Sequence, residues 1–203
     1  YDSALSFEKY EGGDENNIRI MYLGGSGRAM RLNTLIEAFL DLKQENSSLQ
    51  IIGPRKYVEE YFRLKETQIP SNINVESFVE RSKIPSYINN SDILVHPGNN
   101  TNQLKFGLNS NKILEYLSSG RIVVLAAKTS NDAVSLSGAG FLIQPESPSV
   151  MTSIFNKIYE MQPDERKLIG QKGPTYIFSN YKPEDLSKKL IKKEMRKFVW
   201  LIL

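Results

Sequence analysis

The chain has 203 residues (23.1 kDa), 40% of them hydrophobic and 24% charged, the composition of a globular domain large enough to bury its own core. Cysteine is absent and His96 is the single histidine, which excludes disulfides, thiolate chemistry and any multi-histidine metal site. A net charge of +3 is too small to argue for a nucleic-acid partner, no run of 18 apolar residues offers a membrane span, and the first stretch is no signal peptide.

Residues 1–17 (YDSALSFEKYEGGDENN) are polar and aperiodic and read as a linker; with a start at Tyr1, the chain is expected to be part of something longer. IRIMYL (18–23) is a short apolar β-prone run ending in GGSG (24–27), the pattern of a buried strand followed by a glycine turn. An amphipathic helix is expected over 30–46, with Leu32, Leu35, Ile36, Phe39 and Leu40 at helical spacing. Further strands are expected at 49–53, 73–78, 92–97, 121–127 and 139–145. The intervening helices are expected at 57–68, 84–91, 111–119 and 130–138. A polar loop at 98–110 interrupts this rhythm. The remainder reads as helical, at 148–162, 163–179 with breaks, and 183–199. The alternation predicts a Rossmann-like, doubly wound parallel sheet of about six strands with helices on both faces.

Such sheets bind ligands at the carboxyl ends of their strands, which directs attention to the loops. GGSGR (24–28) lets backbone N–H groups approach an anion. It is not a dinucleotide fingerprint, because Met30 stands where the third glycine is needed and the second strand ends in Gly53 rather than an acid. The lysine of a P-loop is also absent. Either the turn simply needs glycine, with Arg28 and Arg31 solvated, or one of those arginines meets a phosphate. In FGLNSNKILEYLSSGRIVVL (106–125), Ser110 or Asn109 can cap a helix whose free N–H groups and positive dipole end suit a diphosphate. Lys112 and Glu115 share a face of that helix: either a lysine for phosphate and a carboxylate for a ribose diol, or a surface i,i+3 ion pair.

The run SNKILEYLSSGRIVVL resembles the SPNKLFEYMASGKPVI segment of family 4 (group 1) glycosyltransferases, in their "NKLFEY" subgroup. Three flanking stretches, IRIMYLGGSGR with LNTLIEAFLDL, IPSYINNSDILVHP, and AGFLIQPESPSVMTSIFNKIYEM, are similar to the same family, over residues 18–190 in all. The resemblance implies one lobe of a GT-B fold: the C-terminal domain, which binds a nucleoside diphosphate sugar as substrate with no cofactor. It implies domains at 1–17 (linker from an N-terminal domain), 18–182 (nucleotide-sugar binding) and 183–203 (C-terminal helix or tail). By the same resemblance Glu115 meets the donor ribose, Gly24 and Gly25 lie near the diphosphate, and Phe106, Gly107, Leu108, Asn109 and Ser110 surround the sugar and phosphates. Arg28, Arg31 or Lys112 supplies the positive charge. The family's first motif glutamate is replaced by Gly107, a change its NKLFEY members share, and its lysine–glycine pair near the first helix reads Met30–Arg31.

No Asp-x-Asp occurs, in keeping with a metal-independent site. His96 ends a predicted strand on the ligand side, where a structural role competes with a catalytic one. The basic, then apolar, tail KKLIKKEMRKFVWLIL (188–203) either packs on the N-terminal domain or touches an anionic membrane surface. The resulting expectation is a bacterial hexosyltransferase-type enzyme acting on a polysaccharide, lipopolysaccharide or lipid-linked acceptor. It would be retaining, cytoplasmic or peripheral at the inner face of the plasma membrane, and inactive as a lone lobe. The rival readings are a sugar-nucleotide epimerase of the same architecture and a non-enzymatic module that binds protein or membrane.

Overall fold

The computed structural model describes residues 6–27, 29–100 and 110–181. In chain order the elements are β1 (Ile18–Leu23), α1 (Leu32–Asp41), β2 (Ser47–Gly53), α2 (Arg55–Leu64), β3 (Ile73–Ser77), a 3-10 turn (Arg81–Lys83) and α3 (Ile84–Asn89). They continue with β4 (Ile93–Pro97), α4 (Asn111–Ser118), β5 (Ile122–Ala126), α5 (Ala133–Ser137), β6 (Gly140–Ile143), α6 (Pro148–Tyr159) and α7 (Pro163–Asn180). The six strands form one all-parallel sheet in the order β3-β2-β1-β4-β5-β6. This is the Rossmann-like order, with its reversal between β1 and β4.

Strand alternation divides the core in two. Ile18, Ile20, Leu49, Ile51, Ile93, Val95, Ile122 and Val124 face α1, α2 and α6, where Leu35, Phe39, Val58, Phe62, Met151 and Phe155 meet them. Met21, Ile52, Leu94, Val123 and Leu125 face the other way, onto Ile88, Ile113, Leu117, Val134 and Ile177 of α3, α4, α5 and α7. β4 and β5 are buried at every position, whereas the edge strands β3 and β6 are mostly not. That explains the uninterrupted apolar runs of the central strands.

Two expectations about the helices change. The first helix begins at Leu32 rather than at 30, because Met30 bridges to Gly98 and the Arg31 N–H donates to the Pro97 carbonyl at 2.6 Å. The last described helix is continuous through Gly170, Gly173 and Pro174. Those glycines act by close approach: a Cβ on Gly170 would lie 2.0 Å from the Gly120 carbonyl oxygen, and one on Gly173 2.3 Å from that of Leu117. α7 therefore lies directly against the end of α4.

Residues 6–17 form no helix or strand, yet they lie against the amino ends of the strands with Tyr10 buried. Among the described residues no helix is long and apolar enough to cross a membrane. The expected helix at 183–199 and the basic tail lie outside the described residues, as do Arg28, Phe106, Gly107, Leu108 and Asn109.

Candidate functional site

β1 and β4 are neighbours whose connections leave in opposite directions, so a crevice opens at their carboxyl ends. The turn after β1, the stretch after β4 and the start of α4 converge there. Ser110 caps α4: its backbone is extended and its Oγ accepts the Ile113 N–H at 3.3 Å. An α-helix leaves its other first-turn N–H groups without an intrahelical acceptor. Buried Tyr116 ties α4 to the end of β1. The Leu23 N–H donates to its phenolic oxygen at 3.1 Å, and its O–H donates to the Leu23 carbonyl at 3.4 Å.

Lys112 reaches from the first turn of α4 to the glycine turn. Its ammonium lies 5.6 Å from the centre of the Tyr22 ring, a cation–π distance, and the Tyr22 hydroxyl donates to the Gly25 carbonyl. Gly24 has φ +152°, and a Cβ there would stand 2.3 Å from Lys112 Nζ. Glycine thus makes the room that the ammonium occupies. Burial lowers the Lys112 pKa below its ordinary value, with Glu115 opposing the shift.

The surface Lys112–Glu115 pair is not what forms. Glu115, with 14% of its side chain exposed, instead accepts from Arg81 Nη2 at 3.1 Å across the crevice. Arg31 is also committed: its Nε donates to Glu146 Oε1 at 2.6 Å, holding that carboxyl below its usual pKa, and the same oxygen accepts the Asn100 N–H at 3.4 Å. His96 is 5% exposed, and its Nδ1 has no partner among the described residues. Burial, then the Lys112 charge, pushes its pKa down to about 4, so its imidazole is neutral near pH 7. Of the residues picked from sequence, Gly24, Gly25, Ser110, Lys112 and Glu115 gather at the crevice, with Arg31 at its rim turned toward Glu146.

The sequence matches the family described as "Glycosyl transferases group 1" over residues 6–176. The chain belongs to the group 1 glycosyl transferases. No curated protein matches it in sequence. Among solved structures it is similar to the C-terminal domain of the group 1 glycosyl transferase LpcC from Francisella tularensis (TM-score 0.65, 20% identity, 82% of this chain and 87% of that one). It is also similar to Anabaena Alr3699/HepE in complex with UDP-glucose (TM-score 0.69, 17% identity, 89% and 49%). A third is sucrose-phosphate synthase from Thermosynechococcus elongatus (TM-score 0.70, 13% identity, 92% and 47%). At these identities the likeness is one of fold. The chain spans about half the length of HepE and of the synthase.

Three further residues shape the crevice of this group 1 chain without having been picked from sequence. Tyr22, in an apolar strand run, and Tyr116, in a helical one, are buried; the Tyr22 ring faces the Lys112 ammonium, and both hydroxyls hydrogen-bond at the crevice. Arg81 lies 34 positions from Glu115, in a 3-10 turn that carries no pattern of its own.

Proposed function

We propose that this chain is the donor-binding lobe of its enzyme and takes a nucleoside diphosphate sugar across the carboxyl ends of β1 and β4. The observation that carries this reading is the Lys112 ammonium held against Gly24, with Glu115 one turn further along α4. The diphosphate rests on the start of α4 and the glycine turn, where Lys112 and free N–H groups meet its charge. Glu115 accepts from the ribose hydroxyls, and the loop that ends at Ser110 surrounds the sugar. Arg28 is a second candidate cation, whereas Arg31 must first leave Glu146. HepE, similar in fold, is in complex with UDP-glucose, so UDP-sugars are the first donors to test.

In transfer, the bond from the anomeric carbon to the diphosphate oxygen breaks and a bond to the acceptor hydroxyl oxygen forms on the same face. The hydroxyl proton passes to the departing phosphate oxygen. Lys112 and the α4 terminus stabilise the charge that develops on that leaving group, and the reading is metal-independent in keeping with the absence of Asp-x-Asp. In this proposal residues 1–17 link to an N-terminal lobe that brings a polysaccharide, lipopolysaccharide or lipid-linked acceptor. Residues 18–182 are the donor domain, and 183–203 return to the other lobe.

Isothermal titration calorimetry of the chain with UDP, GDP, their sugars and inorganic diphosphate tests this. Lys112→Ala should weaken UDP and inorganic diphosphate alike, by roughly tenfold or more, the worth of a hydrogen bond to a charged group. Glu115→Ala should weaken UDP much more than inorganic diphosphate. If no nucleotide binds at millimolar concentration, the proposal fails.

A further inference from the structure

The loop after β3 carries a side chain that neither the core nor the proposed diphosphate and ribose contacts use. Phe78 is 71% exposed. It is nevertheless seated: Gly53, at φ +114°, leaves out the Cβ that would stand 2.8 Å from Phe78 Cε1 and 3.1 Å from Cδ1. Along the same edge, a Cβ on Gly25 would lie 4.0 Å from Cζ. The ring edge thus rests on the backbone turns that follow β1 and β2, while most of its surface faces solvent at the ligand-binding edge of the sheet. A phenylalanine left this open forgoes about 1.5–3 kcal/mol of burial, and a substituted Gly53 would unseat it.

Arg81, three residues on, ties this loop to the site through its 3.1 Å ion pair with Glu115. In a nucleotide the heterocycle is bonded directly to the ribose. A ribose on Glu115 therefore brings its base to the loop that Arg81 anchors, where Phe78 offers a flat apolar surface. We propose that Phe78 is the stacking surface for the nucleobase and that Arg81 is a positioning residue that aims the Glu115 carboxylate at the ribose. This rests on the reading of Glu115 as the ribose contact. Stacking is tolerant of base identity, because every base has a π-face, so Phe78 strengthens binding of uridine and guanosine nucleotides alike.

The test is calorimetry of the 203-residue chain with UDP, GDP, 2′-deoxy-UDP and inorganic diphosphate. Phe78→Ala should weaken UDP and GDP roughly 5- to 150-fold, the range of a base–aromatic stack, leave inorganic diphosphate unchanged and keep the preference for UDP over 2′-deoxy-UDP. Phe78→Trp should restore UDP binding. Arg81→Ala should bring UDP and 2′-deoxy-UDP toward equal affinity, with Arg81→Lys restoring part of the difference, an outcome that loss of fold would not produce. Phe78→Ala binding UDP like the native chain, or losing inorganic diphosphate to the same degree, overturns the stacking assignment. An unchanged ribose preference in Arg81→Ala overturns the positioning role. A native chain that binds no nucleotide overturns the donor-site reading instead, so the failures are distinguishable.

Discussion

The two ends of the sheet treat buried polar groups differently. At the amino end, Asp92 is fully buried and takes four donors: the Arg19 N–H at 2.8 Å, Arg19 Nε and Nη2 at 3.0 Å each, and the Tyr10 hydroxyl at 3.3 Å. Arg121 spreads its guanidinium over the carbonyls of Glu8, Ser119 and Asn89 and lies 5.3 Å from the Tyr10 ring. Arg166 does the same for the carbonyls of Asp14 and Asn17, and among the described residues each of these two arginines leaves only its Nε unpaired. At the carboxyl end, His96 Nδ1 has no partner among the described residues, Lys112 rests on an aromatic face rather than a carboxylate, and Phe78 is open. Charges answered from within the chain hold residues 6–17 on the domain and contribute stability. At the carboxyl end, the groups left unanswered are those a ligand can use.

The largest break in that contrast is expected from Asp92→Ala. It strands a buried tyrosine hydroxyl and an arginine that lose their acceptor together, at a cost of about 3 kcal/mol or more. Urea denaturation should show the loss as a lowered midpoint, while UDP affinity of the folded fraction stays at the native value. A variant that keeps its stability but loses UDP would place function at the amino end and erase the distinction.

His96 sharpens the contrast through pH. Its pKa is near 4 in the folded chain and 6.5 in an ordinary peptide, so between those values the unfolded chain binds a proton that the folded chain refuses. Stability from this group is whole above about pH 6.5 and falls as pH drops toward 4, by on the order of 3 kcal/mol in all. Carboxylates titrate in part of the same window, so the measurement is the difference between native and His96→Gln denaturation curves. The native chain should lose more stability than the variant from pH 7 to 4, and parallel curves would refute the shift.

How much of this could be read from sequence follows from the range of the interactions. Leu94, Val95, Val123 and Val124 announce buried parallel strands because their neighbours in the chain are apolar too, and Ser110 announces a cap from its place before a helical run. Lys112 and Glu115 could be picked as a pair on one face, but not that Lys112 would turn to Gly24 and Glu115 to Arg81. Those partners are 88 and 34 positions away, and no local spacing encodes them. The breaks expected within 163–179 do not form: propensity is local, whereas the close contact with the end of α4 that Gly170 and Gly173 permit is tertiary. Residues 6–17 read as linker because their composition is polar. Their attachment depends on Asp92, Arg121 and Arg166, far along the chain.

The smallest expected effect lies at the boundary between the two behaviours. Arg31 sits on the glycine turn, where a phosphate ligand was one of two readings, yet its guanidinium is paired with Glu146. The two side chains are 44% and 39% exposed, so the pair is worth about 0–1 kcal/mol and solvent competes for it. Arg31→Ala should therefore move stability by less than about 1 kcal/mol. If Lys112 carries the diphosphate, the same variant should bind UDP within about twofold of the native chain, since a twofold change is well below one charged hydrogen bond. A loss of tenfold or more, with Glu146→Gln strengthening UDP binding, would show that the ligand draws Arg31 away from its carboxylate. Arg31 would then belong with the unanswered charges of the carboxyl end, and Glu146 would be the internal competitor that its short contact already makes it.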